Sequence, residues 1–227
     1  MQYRIPQEAE ISNIEAQWHT FFPSGNRDLI SRIWAEVREK YSEPQRFYHN
    51  FGHIVELFEY WERYHAYCHD PRVVGLALVG HDVIYDIGAQ DNEARSAVYT
   101  GECLERLGVA PATVRHVMEM IRMTASHVCP GDDPDAALML DMDMAIIGAP
   151  PDAYDRYSQA IEAEYRQIYT LEDFWRGRLS RFIDVLLQQP RLFKTDLFEE
   201  TLGTRARANL AREKQGLLRR LRCSARE

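Results

Sequence analysis

The chain has 227 residues, 45% hydrophobic and 27% charged, an ordinary globular composition that excludes disordered, collagen-like and fibrous classes. Asp plus Glu number 35 against 27 Lys plus Arg, a net charge of −8 with neutral histidines, which disfavours nucleic acid as a partner. Cys68, Cys103, Cys129 and Cys223 have no C-x-x-C spacing, no signal-peptide pattern is present, and no apolar run reaches the roughly 18 residues of a membrane helix. The expectation is one domain over 1–227, in a reducing cytoplasm and without a membrane partner.

From Pro6 to Tyr41, apolar residues recur at helical spacing: Ile11, Ile14, Trp18 and Phe22, then Leu29, Ile33, Trp34 and Val37. Pro23-Ser24-Gly25-Asn26 breaks them into two helices, with Asn26 a candidate cap. His19 stands outside any ligand-like spacing and reads as an ordinary surface or core histidine. In the next segment, R-F-Y-H-N-F-G-H-I, His49 and His53 are four apart, so on a helix both rings leave one face. Gly52 weakens that helix by about 1 kcal/mol, which is tolerable where a backbone or ligand must come close. A helix through Val55, Leu57, Phe58, Trp61 and Tyr64 follows, and His65 and His69 before Asp70-Pro71 read as turn residues.

Val73 to Asp86, V-V-G-L-A-L-V-G-H-D-V-I-Y-D, is an uncharged apolar run ending in His81-Asp82. A carboxylate beside an imidazole in core-like sequence is costly unless hydrogen bonds or a cation offset it. After a loop, D-N-E-A-R-S-A opens another helix, with Asp91 or Asn92 as cap and Glu93 and Arg95 placed to fold back over the pair. Helices are expected over Ala94 to Leu107, Ala112 to His127, Pro134 to Ile147, Asp152 to Tyr169, Leu171 to Gln189 and Asp196 to Arg222. His127, at a helix C-terminus, is placed to bond the last carbonyls. Asp141 and Asp143 interrupt another apolar stretch, Ala136 to Gly148. The thickened basic residues from Arg205 to Arg226 read as a solvated helix face. No strand signal appears, so the fold class is all-α with about nine or ten helices. The aromatic residues, 4 Trp, 12 Tyr and 9 Phe, serve a core or the interface of a homo-oligomer.

His and Asp set into apolar helices, with no cysteine pair near them, suit a catalytic transition-metal site better than a structural zinc knot. The ordered set His53, His81-Asp82 and a later Asp resembles the H…HD…D signature of HD-domain phosphohydrolases. Y-H-N-x-x-H at Tyr48 to His53 is similar to the opening motif of cyclic-nucleotide phosphodiesterases. Y-H-N-x-x-H-I, H-D-x-x-Y-D, D-N-E-x-x-S-A, T-x-x-H, D-x-D-x-x-x-x-G and A-R-x-N-L together resemble, along nearly the full chain, a bacterial family of predicted metal-dependent HD phosphohydrolases.

That resemblance implies an HD-type helical bundle with His53, His81, Asp82 and one downstream acid, Asp143 rather than Asp141, as metal ligands. It implies His49 as general acid and one or two divalent ions of Mn, Fe, Co, Ni, Zn or Mg. With a metal-activated water the expected reaction is hydrolysis of a small-molecule phosphate ester, a nucleotide being one candidate, in which Asp82 serves both metal and catalysis. Asp141, His127 and Glu93 are the candidates for a second shell or second metal, and Arg46, Arg95 and Arg122 for gripping phosphate. The phosphodiesterase residue that grips a nucleotide base has no counterpart here, so cyclic nucleotides are a poor expectation. An HD-type di-iron oxygenase and a non-catalytic metal- or ligand-binding helical domain are the alternatives.

Overall fold

Proline, glycine and short polar residues punctuate the chain, and the stretches between them are helical. The computed structural model describes residues 3–224, and among them the fold is all-α, ten helices without a strand. They are α1 Glu8–Thr20, α2 Arg27–Tyr41, α3 Phe51–Tyr64, α4 Pro71–Gly80, α5 Asn92–Arg106, α6 Pro111–Met123, α7 Pro134–Met144, α8 Pro151–Tyr165, α9 over 171–188 and α10 over 196–224. α9 and α10 each carry one widened turn, Leu179–Ile183 and Glu199–Gly203. None of these helices is long and apolar enough to cross a membrane. By backbone contact the residues form two compact units, 3–143 and 144–224.

In the first unit the buried stripe Ile11, Ile14 and Trp18 of α1 faces Ile30, Ile33, Trp34, Val37 and Tyr41 of α2. Asn26 caps α2, accepting from Leu29 N at 3.1 Å. Asn50 caps α3 by accepting from Gly52 N at 2.7 Å; its extended backbone stops the helix there, so His49 precedes α3 and the expected shared helix face of His49 and His53 does not form. The close approach expected at Gly52 is that of the chain's own backbone: a Cβ there would lie 2.5 Å from Arg4 O.

Asp70 caps α4 through Arg72 N and Val73 N, with Pro71 in its first turn. Every residue from Val73 to Gly80 is buried, which accounts for the lack of polar alternation in this stretch. A Cβ on Gly80 would meet Thr100 Oγ1 at 2.4 Å, so glycine here lets α5 come against α4 one residue before His81. α4 also packs on α3 and α6, and α5 packs on α6. α6 ends at Met123, short of the expected His127, because the chain turns through Thr124 to Ser126 and then enters a left-handed residue.

In the second unit α10 packs on α9 and on the tight turn Ala145–Gly148. The Asn209 amide secures that turn, donating to Ile147 O and Ala149 O at 3.0 and 2.9 Å. Many basic residues of α10 are spent inside the unit: Arg207 on the Gln189 and Pro190 carbonyls, Arg212 on Asp155 at 2.6 Å, Lys214 on Asp184 at 2.7 Å and Arg220 on Glu162 at 3.0 Å. The pair Arg178–Glu213, 3.2 Å apart, is buried at 7% and 8% side-chain exposure. Ser158 and Tyr154 hydroxyls donate to Glu213, Tyr157 OH accepts from Arg178, and the Phe182 ring lies 4.0 Å from the guanidinium.

Burial pushes the Glu213 carboxyl up, but Arg178 and the hydroxyls of Tyr154 and Ser158 hold it below the ordinary glutamate value. Its stabilisation is therefore present above that ordinary value and is lost as pH falls through the depressed one. Glu213→Gln leaves Arg178 buried without its partner and should cost about 3–5 kcal/mol at neutral pH. Denaturant titrations of both proteins across pH check this; the gap between them should narrow under acid conditions.

Candidate metal centre

Four segments of the first unit deliver side chains to one place. His53 sits in the first turn of α3, His81 ends α4 with Asp82 next to it, His127 follows α6, and Asp143 lies in the last turn of α7. His53 Nε2 is 3.3 Å from His81 Nε2 and 3.2 Å from Asp143 Oδ1. His81 Nε2 lies 3.1 Å from Asp82 Oδ2 and 3.5 Å from Asp143 Oδ1. His127 Nε2 reaches the second oxygen, Asp143 Oδ2, at 3.3 Å. One ligand atom each from His53, His81 and Asp143 falls within a mutual 4.8 Å, with His53 and His81 buried at 2% and 1% exposure.

Backbone carbonyls set the orientation of two of these rings. His81 Nδ1 donates to Leu78 O at 2.9 Å and His127 Nδ1 to Thr124 O at 2.6 Å, since a carbonyl can only accept. In both neutral rings the lone pair is then on Nε2, the atom that faces the carboxylates, which is the tautomer a metal needs. His53 Nδ1 is buried without a hydrogen-bond partner. Lone pairs and anionic oxygens so close repel unless protons or a cation lie between them. Imidazole nitrogen with carboxylate oxygen suits Mn, Fe, Co, Ni or Zn, so the donor set fits a divalent transition metal.

Without a metal, protons do this work. Burial pushes the His81 imidazole down, but the carboxylates of Asp82 and Asp143 raise it well above the ordinary value. Burial pushes Asp143 up, and His81, His127 and His53 together hold it well below the carboxylate range. Asp82 is depressed likewise, burial being outweighed by His81 and, more weakly, His49. His127 is raised against burial by Asp143, whereas burial dominates His53 and lowers it.

Asp141, buried at 1%, lies about 200° around α7 from Asp143 and is not part of the cluster. His127 combines the expected carbonyl contact with a contact to Asp143. It has φ of 50°, the one non-glycine positive φ among the described residues, and its N–H bonds Met123 O at 2.8 Å. That conformation costs about 1–3 kcal/mol and aims the ring at the carboxylate. His49 lies beside the cluster, its ring edge-on to His53 with centroids 6.3 Å apart.

Arg46, expected to grip phosphate, is instead buried at 1% exposure and turned inward. Its Nη1 donates to Asp82 O at 2.6 Å and His49 O at 3.2 Å, Nη2 to Val83 O at 3.1 Å, and Nε to Glu43 at 3.0 Å. Arg95 pairs with Asp86 at 2.5 Å and, more distantly, with Asp91. Arg122 is exposed on α6, and Glu93 is half-buried in the first turn of α5. None of Arg95, Arg122 and Glu93 has a hydrogen bond or ion pair to His53, His81, Asp82 or Asp143.

Several supporting residues escaped sequence reasoning. Tyr41 OH accepts from Asp82 N at 3.2 Å and donates to Val79 O at 3.0 Å. Asp91 makes no side-chain cap on α5, and Asn92 turns back to exchange two 2.9 Å hydrogen bonds with the Asp86 backbone. Ser96 Oγ similarly accepts from Ile84 N and donates to Ile84 O. The D-N-E-x-x-S-A motif was the available signal: its Asn and Ser hold the loop that follows His81-Asp82.

Comparison with protein-family models, with curated proteins and with solved structures finds no match in any of the three.

Because the carboxylates of Asp82 and Asp143 raise His81 well above its ordinary value in the metal-free protein, adding Mn²⁺ at neutral pH should release about one proton. Calorimetry in buffers of differing ionisation enthalpy measures that number, which should fall in Asp143→Asn. The metal-free stability deficit of Asp143→Asn should be bounded in pH on both sides. Depressed Asp143 loses its contribution as pH falls through its own value, and raised His81 loses its contribution as pH rises through its own.

Proposed function

We propose that this protein is a metal-dependent phosphohydrolase of the HD type, acting on a small-molecule phosphate ester. The observation that carries this reading is the convergence of His53 Nε2, His81 Nε2 and Asp143 Oδ1 within 4.8 Å, with Asp82 Oδ2 3.1 Å from His81. The H…HD…D order along the sequence supports it. His53, His81, Asp82 and Asp143 would hold the metal, and Asp82 stays ionised because His81 faces it. A bound divalent ion neutralises phosphate charge and lowers the pKa of water.

His49, half-buried and reaching solvent, gives a proton to the departing oxygen as the P–O bond to the leaving group breaks. The incoming water forms the new P–O bond, keeps one proton in hydrogen phosphate and returns the other to His49, so ester and water become alcohol and hydrogen phosphate. Arg46 keeps the His49 and Asp82 segments in register through the carbonyls of both.

The HD-type di-iron oxygenase is favoured by one observation, His127 as a fifth donor on the second oxygen of Asp143. Elemental analysis of protein purified without chelator or affinity tag separates the readings. Wild type should carry one or two equivalents of a transition metal that Asp82→Ala loses, and His49→Ala should keep the metal while kcat on phosphate esters falls about 100-fold or more. Iron with visible absorbance and oxygen uptake would favour the oxygenase. A wild type that takes up no metal on reconstitution would overturn both.

A further inference from the structure

We infer that Tyr85 is the positioning residue for His49, holding the imidazole by ring stacking where it can deliver its proton; this rests on the phosphohydrolase reading. The two rings stack with centroids 4.2 Å apart and planes 25° from parallel. Unlike His53, which sits in the first turn of α3, His49 precedes that helix, so no helical backbone sets its direction. The neighbouring His53 ring meets it edge-on at 6.3 Å and the Tyr48 ring edge-on at 5.0 Å. Of these three aromatic neighbours, Tyr85 is the one that stacks face to face with it.

Tyr85 is suited to this because it is itself immobilised. It is buried at 8% exposure, and its loop is tied down on both sides. Upstream, Arg46 holds Asp82 O and Val83 O and sits 5.5 Å from the Tyr85 ring centroid. Beyond them, Ser96 takes both backbone groups of Ile84 and Asn92 both of Asp86, the residues flanking Tyr85. The same guanidinium donates to His49 O at 3.2 Å. One buried cation thus spaces the backbone of His49 from the loop that carries Tyr85, and the ring stack orients the side chain.

Two measurements test the assignment, the first independent of turnover. In proton–carbon spectra of histidine-labelled protein, with the His49 signal identified by its loss in His49→Ala, an imidazole stacked under an aromatic ring has its carbon-bound protons shifted upfield. Tyr85→Leu should remove that shift and Tyr85→Phe should restore it. An unmoved His49 signal in Tyr85→Leu overturns the inference.

The second measurement is kinetic, on metal-loaded protein. Tyr85→Leu should keep its metal and KM but lose about tenfold in kcat on an alkyl phosphate, and much less on 4-nitrophenyl phosphate, whose leaving group needs no proton. Tyr85→Phe should recover most of the loss, and Tyr85→Leu should add little in a His49→Ala background. Equal losses on both esters, or additive losses in the double variant, would mean a merely structural ring and overturn the inference. A metal-loaded wild type inactive on every phosphate ester would overturn the phosphohydrolase reading instead, leaving the placement of His49 to be judged by its spectrum.

Discussion

The first unit is built around a carboxylate that has an imidazole on each of its oxygens. Asp143 meets His53 and His81 with one oxygen and His127 with the other, and Asp82 adds a second anion beside His81. Removing so many polar atoms from water costs several kcal/mol per ion unless counter-charge is present. The histidines supply that counter-charge, and Arg46, Tyr41 and the carbonyls of Leu78 and Thr124 fix the segments that carry the groups. The seamless apolar packing of α4 brings His81 to the core, and Gly80 allows α5 to close against it.

Arg46 and Tyr41 settle the backbone where α4 stops. A helix ending inside a core leaves carbonyls and amides without intrahelical partners, and here Val79 O, Asp82 N, Asp82 O and Val83 O are all taken by these two side chains. Their aromatic and guanidinium planes also meet, Arg46 lying 5.2 Å from the Tyr41 ring centroid. An inward arginine is an expensive element in a core, and it is used where several carbonyls converge and a rigid fork can serve them together. His127 shows the same priority, since its left-handed backbone is held against an intrinsic cost in order to aim one ring.

The second unit solves a different problem. Its longest helix is rich in arginine, yet Arg207, Arg212 and Arg220 return to carbonyls and carboxylates of the same unit, and Arg178 is buried against Glu213 with hydroxyls completing the shell. The basic residues of this helix thus line an exposed face, as their spacing suggested, and from that face several pair with groups of the same unit.

Ten helices were legible because helix formation is local. Apolar spacing near 3.6 and punctuation by Pro, Gly and Asn act over neighbouring residues, so Asn26, Asp70-Pro71 and the apolar run of α4 could be read directly. The cluster was legible in part for a related reason: His and Asp inside apolar stretches are anomalous wherever the chain goes, and that anomaly marked Asp141 as much as Asp143. Side-chain direction was not legible. Whether Arg46 faces a substrate or the carbonyls behind Asp82, whether Asn92 caps its own helix or ties down Asp86, and which ring lies flat on His49 depend on atoms 6 to 37 residues away. Such contacts exist only once helices pack, because a flexible side chain takes its direction from the partners that packing brings within about 3 Å of its polar atoms.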